Sequence, residues 1–286
     1  MKAPALPLLI ALWIFVLSPA AGATLAFENF AFPSGDLPMG VPPESGDGIV
    51  GQGPNGNTRE SAAPTNGALG FATGYVRADG NGIPQVGSNT LGFPGVDSGG
   101  DQLEMPPDVR CGRYFDTSPD GPFAGFLNRE GRIGADGRTL WMAFLFQAHD
   151  TSGTQGVALF QQYIRGDGAP IPVVNIGIGD GKFAWRRAAD GSGTEWQPLL
   201  RTAADPGVRL FVLKFEFAAE QDTLRIFVDP DPSRPPADAT ANGVVTAPDL
   251  SFEALGFSTF GDPYSVSNIR IADDYAGALQ TAPPAP

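Results

Sequence analysis

From about residue 137 onward the chain is a succession of short apolar runs, each bounded by Gly, Asp, Asn or Pro. TLWMAFLFQ (139–147), VALFQQYI (157–164), PVVNIGIG (172–179), KFAWRR (182–187), RLFVLKFEF (209–217), TLRIFVD (223–229), LSFEALGFSTF (250–260) and SVSNIRIAD (265–273) predict strands. Most alternate apolar with polar positions, the period of two that sends successive side chains to opposite faces of a sheet. In RLFVLKFEF the set Phe211, Leu213, Phe215 and Phe217 faces the core, and Lys214 and Glu216 look outward. TLWMAFLFQ is apolar on both faces, which predicts a central strand covered on both sides. Gly179-Asp180-Gly181 reads as a tight hairpin connection, and FEFAAEQDTLRIFV holds a longer one. No run carries a long 3.6-residue period, so helix is scarce. The pattern predicts an all-β, two-sheet antiparallel β-sandwich rather than βαβ units.

The first half is less regular. LAFENFAFPSG predicts a first strand carrying Phe27 and Phe30, with a turn at Pro33-Ser34-Gly35. Residues 36–68 are rich in Gly, Pro, Asn and Ser and read as a long irregular loop over the surface. ALGFATGYV, NTLGF and CGRYFD supply further candidate strands. Residues 24–279 are read as one domain, a size that sandwiches reach, and 280–286 as a disordered Pro-rich tail.

Residues 1–23, MKAPALPLLIALWIFVLSPAAGA, have a Lys at position 2, an apolar run from Leu6 to Leu17 and a small-residue Ala21-Gly22-Ala23 site. That layout predicts a secretory signal peptide, with an apolar core too short to span a bilayer, and hence an exported chain with no membrane insertion after its removal. The 38 Gly, 28 Pro and 17% charged residues favour turns over solvated helix faces, while 42% hydrophobic residues allow a large core. A net charge of -13 argues against nucleic acid and against anionic lipid, both of which reward clustered Lys and Arg. The single cysteine, Cys111, excludes an intramolecular disulfide and reads as a small buried hydrophobe. One Cys and one His, His149, also exclude the multi-ligand zinc patterns.

The order of TLAFENFAFPSGDL, GADGRTLWMAFLFQ, LRIFVDPDPSRPP and VSNIRIADDYAGAL resembles exported bacterial proteins with the concanavalin A-like lectin/glucanase jelly roll, akin to laminin-G-like domains, many of which carry PEP-CTERM sorting signals. The resemblance covers roughly Thr24 to Leu279, and its most specific pieces are the G-x-T-L-W strand at 137–141, the strand ending in Val228-Asp229-Pro230 and the closing N-I-R-I strand. It does not extend to the terminus, which reads TAPPAP with no PEP-type motif. What it implies is a two-sheet sandwich and a carbohydrate role, with no catalytic residues carried over.

A retaining glycosidase of such a fold needs two carboxyl groups about 5 Å apart, and the E-x-D-x-x-E strand of laminarinase-like members is missing. Glu216, Glu220 and Asp222 in FEFAAEQD are too widely spaced and sit in a strand-to-strand loop. A serine hydrolase would need His149 as base and a G-x-S-x-G elbow, and the elbow is missing. His149, beside Asp150, reads as an exposed loop residue. The chain is therefore read as a non-enzyme whose partner is a polysaccharide or glycoconjugate. The alternatives are a structural or adhesive surface protein and a divergent glycoside hydrolase.

Sugar faces stack on flat aromatics, with polar side chains for the hydroxyls. Trp185, Trp196 and Tyr163, in or beside hairpin strands, are the candidate stacking residues, with Arg187 as a polar partner. Trp141, in an apolar strand, belongs to the core. The Arg165-Gly166-Asp167 triplet reads as a turn. Asp229 and Asp231, each before a proline, are a natural strand terminator and also the candidate metal ligands. Calcium, the implied ion, takes six to eight oxygens, so Asp97 and Asp101 or Asp273 and Asp274 would have to complete such a site.

Overall fold

The computed structural model describes residues 22–32, 34–37, 39–40, 68–72, 74–80, 82–96, 100–163, 171–187 and 195–279. Most of the signal peptide, most of the 36–68 loop, Asp97, the 165–167 triplet and the 280–286 tail lie outside these residues. In chain order the strands are β1 (Thr24–Glu28), β2 (Gly35–Asp36), β3 (Met39–Gly40), β4 (Tyr75–Gly80), β5 (Gln85–Gly87), β6 (Gln102–Met105), β7 (Val109–Tyr114), β8 (Thr139–Ala148) and β9 (Thr154–Gln162). They continue with β10 (Ile171–Gly179), β11 (Lys182–Arg186), β12 (Gln197–Pro198), β13 (Val208–Glu216), β14 (Asp222–Val228), β15 (Gly243–Ala247), β16 (Ala254–Phe260) and β17 (Tyr264–Ala272). Two single-turn 3-10 helices and one short helix, α1 (Tyr275–Leu279), complete the described residues.

The first sheet runs β15-β14-β13-β8-β17-β6-β5-β2, with β1 also on β17, and the second runs β12-β11-β10-β9-β16-β7-β4-β3. Pairing is antiparallel apart from the short edge pair β3–β4. The fold is an all-β, two-sheet sandwich of the jelly-roll type, as the alternating runs predict. The chain passes from the first sheet at β8 to the second for β9 to β12, returns for β13 to β15, and crosses twice more for β16 and β17.

Between the sheets lies the main core. Leu140, Met142, Phe144 and Phe146 of β8 meet Phe211, Leu213 and Phe215 of β13. Phe144 stacks on Phe211 with ring centroids 5.2 Å apart and planes 11° from parallel. The opposite face of β8 is covered too: Trp141, Ala143 and Leu145, with Leu210 and Val212, pack under Tyr275, Ala278 and Leu279 of α1. That second layer is why TLWMAFLFQ is apolar on both sides. Cys111 is buried and unbridged in the main core.

Some predicted boundaries shift. NTLGF forms no strand; Phe93 makes only an isolated bridge to Val96. In LSFEALGFSTF the ladder starts at Ala254, because Phe252 bridges Ile133 instead. Strand β1 stops at Glu28, and Phe30 turns back at φ 52 with its N–H donating to Glu28 Oε1 at 2.8 Å. Strand β15, GVVTA, is too short to stand out as a run. Among the described residues no helix is long and apolar enough to cross a membrane.

Candidate functional site

In the middle of the second sheet, alternation assigns each side chain to a face. Cys111, Val157, Leu159, Ile176, Ile178, Phe183, Leu255 and Phe257 point into the main core. Their neighbours along the strands therefore point away from it: Arg110, Ser258, Phe260, Gly156, Phe160, Asn175, Gly177 and Arg186. Register then aligns them across five strands. One row runs Arg110, Ser258, Gly156, Gly177, Ala184, and the next runs Gly112, Gly256, Ala158, Asn175, Arg186. Each row carries an arginine at one end, on opposite flanks, with glycine, alanine and one polar side chain, Ser258 or Asn175, along the rest.

Small residues leave a depression where the arginines reach inward. A cavity of about 110 Å³ is lined by Arg110, Phe160, Pro172, Asn175, Arg186, Ser258 and Phe260. Its floor is close-packed: a Cβ on Gly156 would lie 2.3 Å from Asn175 Oδ1 and 2.7 Å from the Ile176 carbonyl. Asn175 is 6% exposed and Ser258 4%, yet Asn175 Oδ1 and Ser258 Oγ have no hydrogen-bond partner. An orphaned buried polar atom costs about 1–3 kcal/mol, so two in one small cavity call for an explanation.

The cavity's rim is cationic and aromatic. The Arg110 guanidinium lies 5.6 Å from the centroid of Phe260, which is 47% exposed. The Arg186 guanidinium lies 4.8 Å from the Trp196 ring, and Trp196 is seated flat on Gly179, where a Cβ would come within 2.1 Å of Cδ2. Arg186 Nε is buried without a partner. Burial, and then the neighbouring Arg110 charge, lower the pKa of Arg186 from its ordinary value. Among the described residues no carboxylate lines the cavity.

The four predicted sugar-contact residues separate. Trp196 lies against the Arg186 guanidinium, outside the residues that line the cavity. Trp185 is half-buried and lies on the other face of β11, against the main core, with its indole Nε1 edge over Gly243 of the first sheet. Tyr163 is a correction: it is 0% exposed, packed against Phe160 at 4.9 Å and Tyr114 at 6.3 Å and lying over Gly112 and Gly256. A side chain with no accessible surface offers no stacking face. Arg187 follows Arg186 just beyond the end of β11, where alternation turns it from the outer face, and its Nε is buried without a partner. Sequence reasoning missed Arg110, Asn175, Arg186, Ser258 and Phe260. Their signal was the spacing of small residues at every second position in NIGIG and QGVA, but which of these positions adjoin is decided by strand order.

The aspartates of the DPDP turn are engaged elsewhere. Asp229, at φ 53, accepts from the Leu210 N–H at 2.9 Å and from Arg209 at 2.7 Å. Asp231 accepts from the Ser233 N–H at 3.0 Å and hydroxyl at 2.7 Å, which, with Arg234, hold its carboxyl below the usual range. Both line a hollow of about 550 Å³ walled by Pro230, Pro235 and Pro236. Asp274 accepts from the N–H groups of Gly22 and Gly277. Among the described residues no group of three or more His, Cys, Asp or Glu converges as a metal site; Asp97 lies outside them.

Two of the three acids in FEFAAEQD, Glu216 and Asp222, also have partners. Glu216 pairs with Lys214 and Arg225. Asp222 accepts from the N–H groups of Ala218 and Leu250, both at 2.8 Å, and burial raises its pKa from the ordinary value. His149 is exposed, with Nε2 2.9 Å from the hydroxyl of fully buried Ser265.

No protein-family model matches the chain, and no curated protein sequence matches it. Solved structures that superpose on it include the seed lectin of Lotus tetragonolobus, at 9% identity and TM-score 0.37, covering 68% of this chain and 94% of the lectin. A Trypanosoma rangeli sialidase mutant with trans-sialidase activity aligns at 12% identity and TM-score 0.36, covering 77% of this chain and 33% of the sialidase. The bifunctional GH43-CE protein of Bacteroides eggerthii aligns at 8% identity and TM-score 0.34, covering 60% of this chain and 22% of that one. This chain therefore spans a third or less of the length of those two enzymes. Likeness at this level carries no argument about activity, and the fold assignment rests on the two sheets themselves.

Proposed function

We propose that this protein is an exported, non-catalytic carbohydrate-binding β-sandwich that engages its ligand on the outer face of the second sheet. The observation that carries the reading is the pair of orphaned polar atoms, Asn175 Oδ1 and Ser258 Oγ, in a cavity lined by Phe260 and by Arg186, whose guanidinium lies against Trp196. Sugar hydroxyls both donate and accept, so one saccharide edge satisfies an amide oxygen and a serine hydroxyl together. Exposed aromatic rims suit the apolar face of a pyranose.

The test is affinity electrophoresis of the full chain through gels containing neutral and acidic polysaccharides, with a reducing-sugar assay in parallel. Retardation that is lost in Ser258→Phe, which fills the cavity, supports the reading. Retention unaffected by Ser258→Phe and Phe260→Ala would move the ligand elsewhere. Release of sugar would make the protein an enzyme, and no retention by any polysaccharide would favour a structural or adhesive role.

A further inference from the structure

We infer that the cavity takes the anionic substituent of an acidic glycan, a uronate carboxylate or a sulfate ester, with Arg186 and Arg110 as its cationic walls. The inference rests on the carbohydrate reading and sharpens it.

Size comes first. Sites that enclose a whole small ligand run from roughly 300 Å³ upward, whereas about 110 Å³ equals the liquid share of about four waters. The cavity accommodates one charged substituent and excludes a sugar ring. The ring then lies outside, on Phe260 and Trp196, the two aromatics that flank the arginines.

Charge points the same way. This is a chain of net charge -13 with 18 Lys and Arg against 31 Asp and Glu. In such a chain two guanidiniums on strands four apart in the sheet reach over one glycine floor to line the same small space. An oxyanion between them meets both charges. A guanidinium presents a planar fork of N–H donors that matches carboxylate or sulfate oxygens. The partnerless Nε of Arg186 is one such donor, and the Ser258 hydroxyl is another. Asn175 Oδ1, an acceptor, is left for a hydroxyl on the carbon next to the charged group.

Isothermal titration of the full chain tests this with three matched methyl hexosides: neutral, 6-carboxylate and 6-sulfate. Acetate and sulfate ions serve as sugar-free arms. The acidic sugar of at least one type is expected to bind tenfold or more tighter than the neutral one. Arg186→Gln is expected to erase that difference, and Arg186→Lys, which keeps charge without the fork, restores part of it. Circular dichroism confirms that each variant is folded. The uronide and sulfate arms identify which oxyanion the site selects, and preference for either supports the inference. Equal affinity for neutral and acidic sugars overturns it while leaving the carbohydrate reading standing. Binding of the free ions with no binding of any glycan overturns both.

Discussion

Arg113 and Glu28 form an ion pair in which both side chains are 0% exposed, between β7 and β1 in the main core. The Glu28 carboxylate also accepts from the Tyr75 hydroxyl at 3.0 Å and the Phe30 N–H at 2.8 Å. The Arg113 guanidinium lies 4.0 Å from the Phe71 centroid and 5.0 Å from that of Tyr75. Burial, and then the Glu28 charge, push the Tyr75 phenol well above its usual pKa. The cluster ties β1 of the first sheet to β4 and β7, which are neighbours in the second.

Removing one member leaves an uncompensated charge in the core. Glu28→Leu or Arg113→Met alone is expected to cost about 3–5 kcal/mol in urea unfolding. The double variant should cost clearly less than the two singles summed, since both charges leave together. Strict additivity would show that the pair is not coupled.

Alkaline stability should respond to Tyr275. Its hydroxyl donates to the Asp231 carbonyl at 2.7 Å, its ring packs 5.2 Å from Trp141, and burial raises its pKa to about 12. The unfolded chain loses this proton near pH 10, so between about pH 10 and 12 the folded state holds more protons than the unfolded one. The contribution is fully present below about pH 10 and is lost as pH rises through about 12. Tyr275→Phe should flatten this part of the pH–stability curve by roughly 1–2 kcal/mol, allowing for the water that reaches the hydroxyl. Parallel curves for both proteins would contradict the assignment.

The turn aspartate should behave as a structural cap. Asp229→Ala removes the acceptor for the Leu210 N–H and the partner of Arg209 and places alanine at φ 53, for an expected loss of about 2–3 kcal/mol. Asp229→Asn keeps an acceptor and tolerates that backbone, so it should cost about half as much. Melting temperature with calcium or with chelator should coincide. A calcium-dependent rise abolished in Asp231→Ala would return the turn to metal binding.

Gly179 should control Trp196. A Cβ there meets the indole at 2.1 Å, so Gly179→Ala is expected to lift the ring off the sheet and shift tryptophan emission to the red. Carbohydrate retention should weaken with it. Unchanged emission would mean that Trp196 does not rest on that strand.

The chain by itself determined the strands and their inner and outer sides, because the period of two is written in residues such as Phe211, Leu213, Phe215 and Phe217. It also determined the two-sided cover of β8, since no strand with one wet face carries Trp141, Ala143 and Leu145 opposite Leu140, Met142 and Phe144. The candidate site was not legible in this way. Trp185 and Arg186 are adjacent in sequence, yet the alternation sends one towards the core and the other to the cavity, a distinction that aromatic content alone does not make. Tyr163 reads as a hairpin aromatic, but glycines on β7 and β16 make room for it to be buried. Arg110 and Arg186 belong to strands that become near neighbours only through the order β11-β10-β9-β16-β7. Local alternation is a property of each strand's own backbone geometry. Which outward residues share a surface depends on crossovers between sheets, and those are settled by the packing of the whole core.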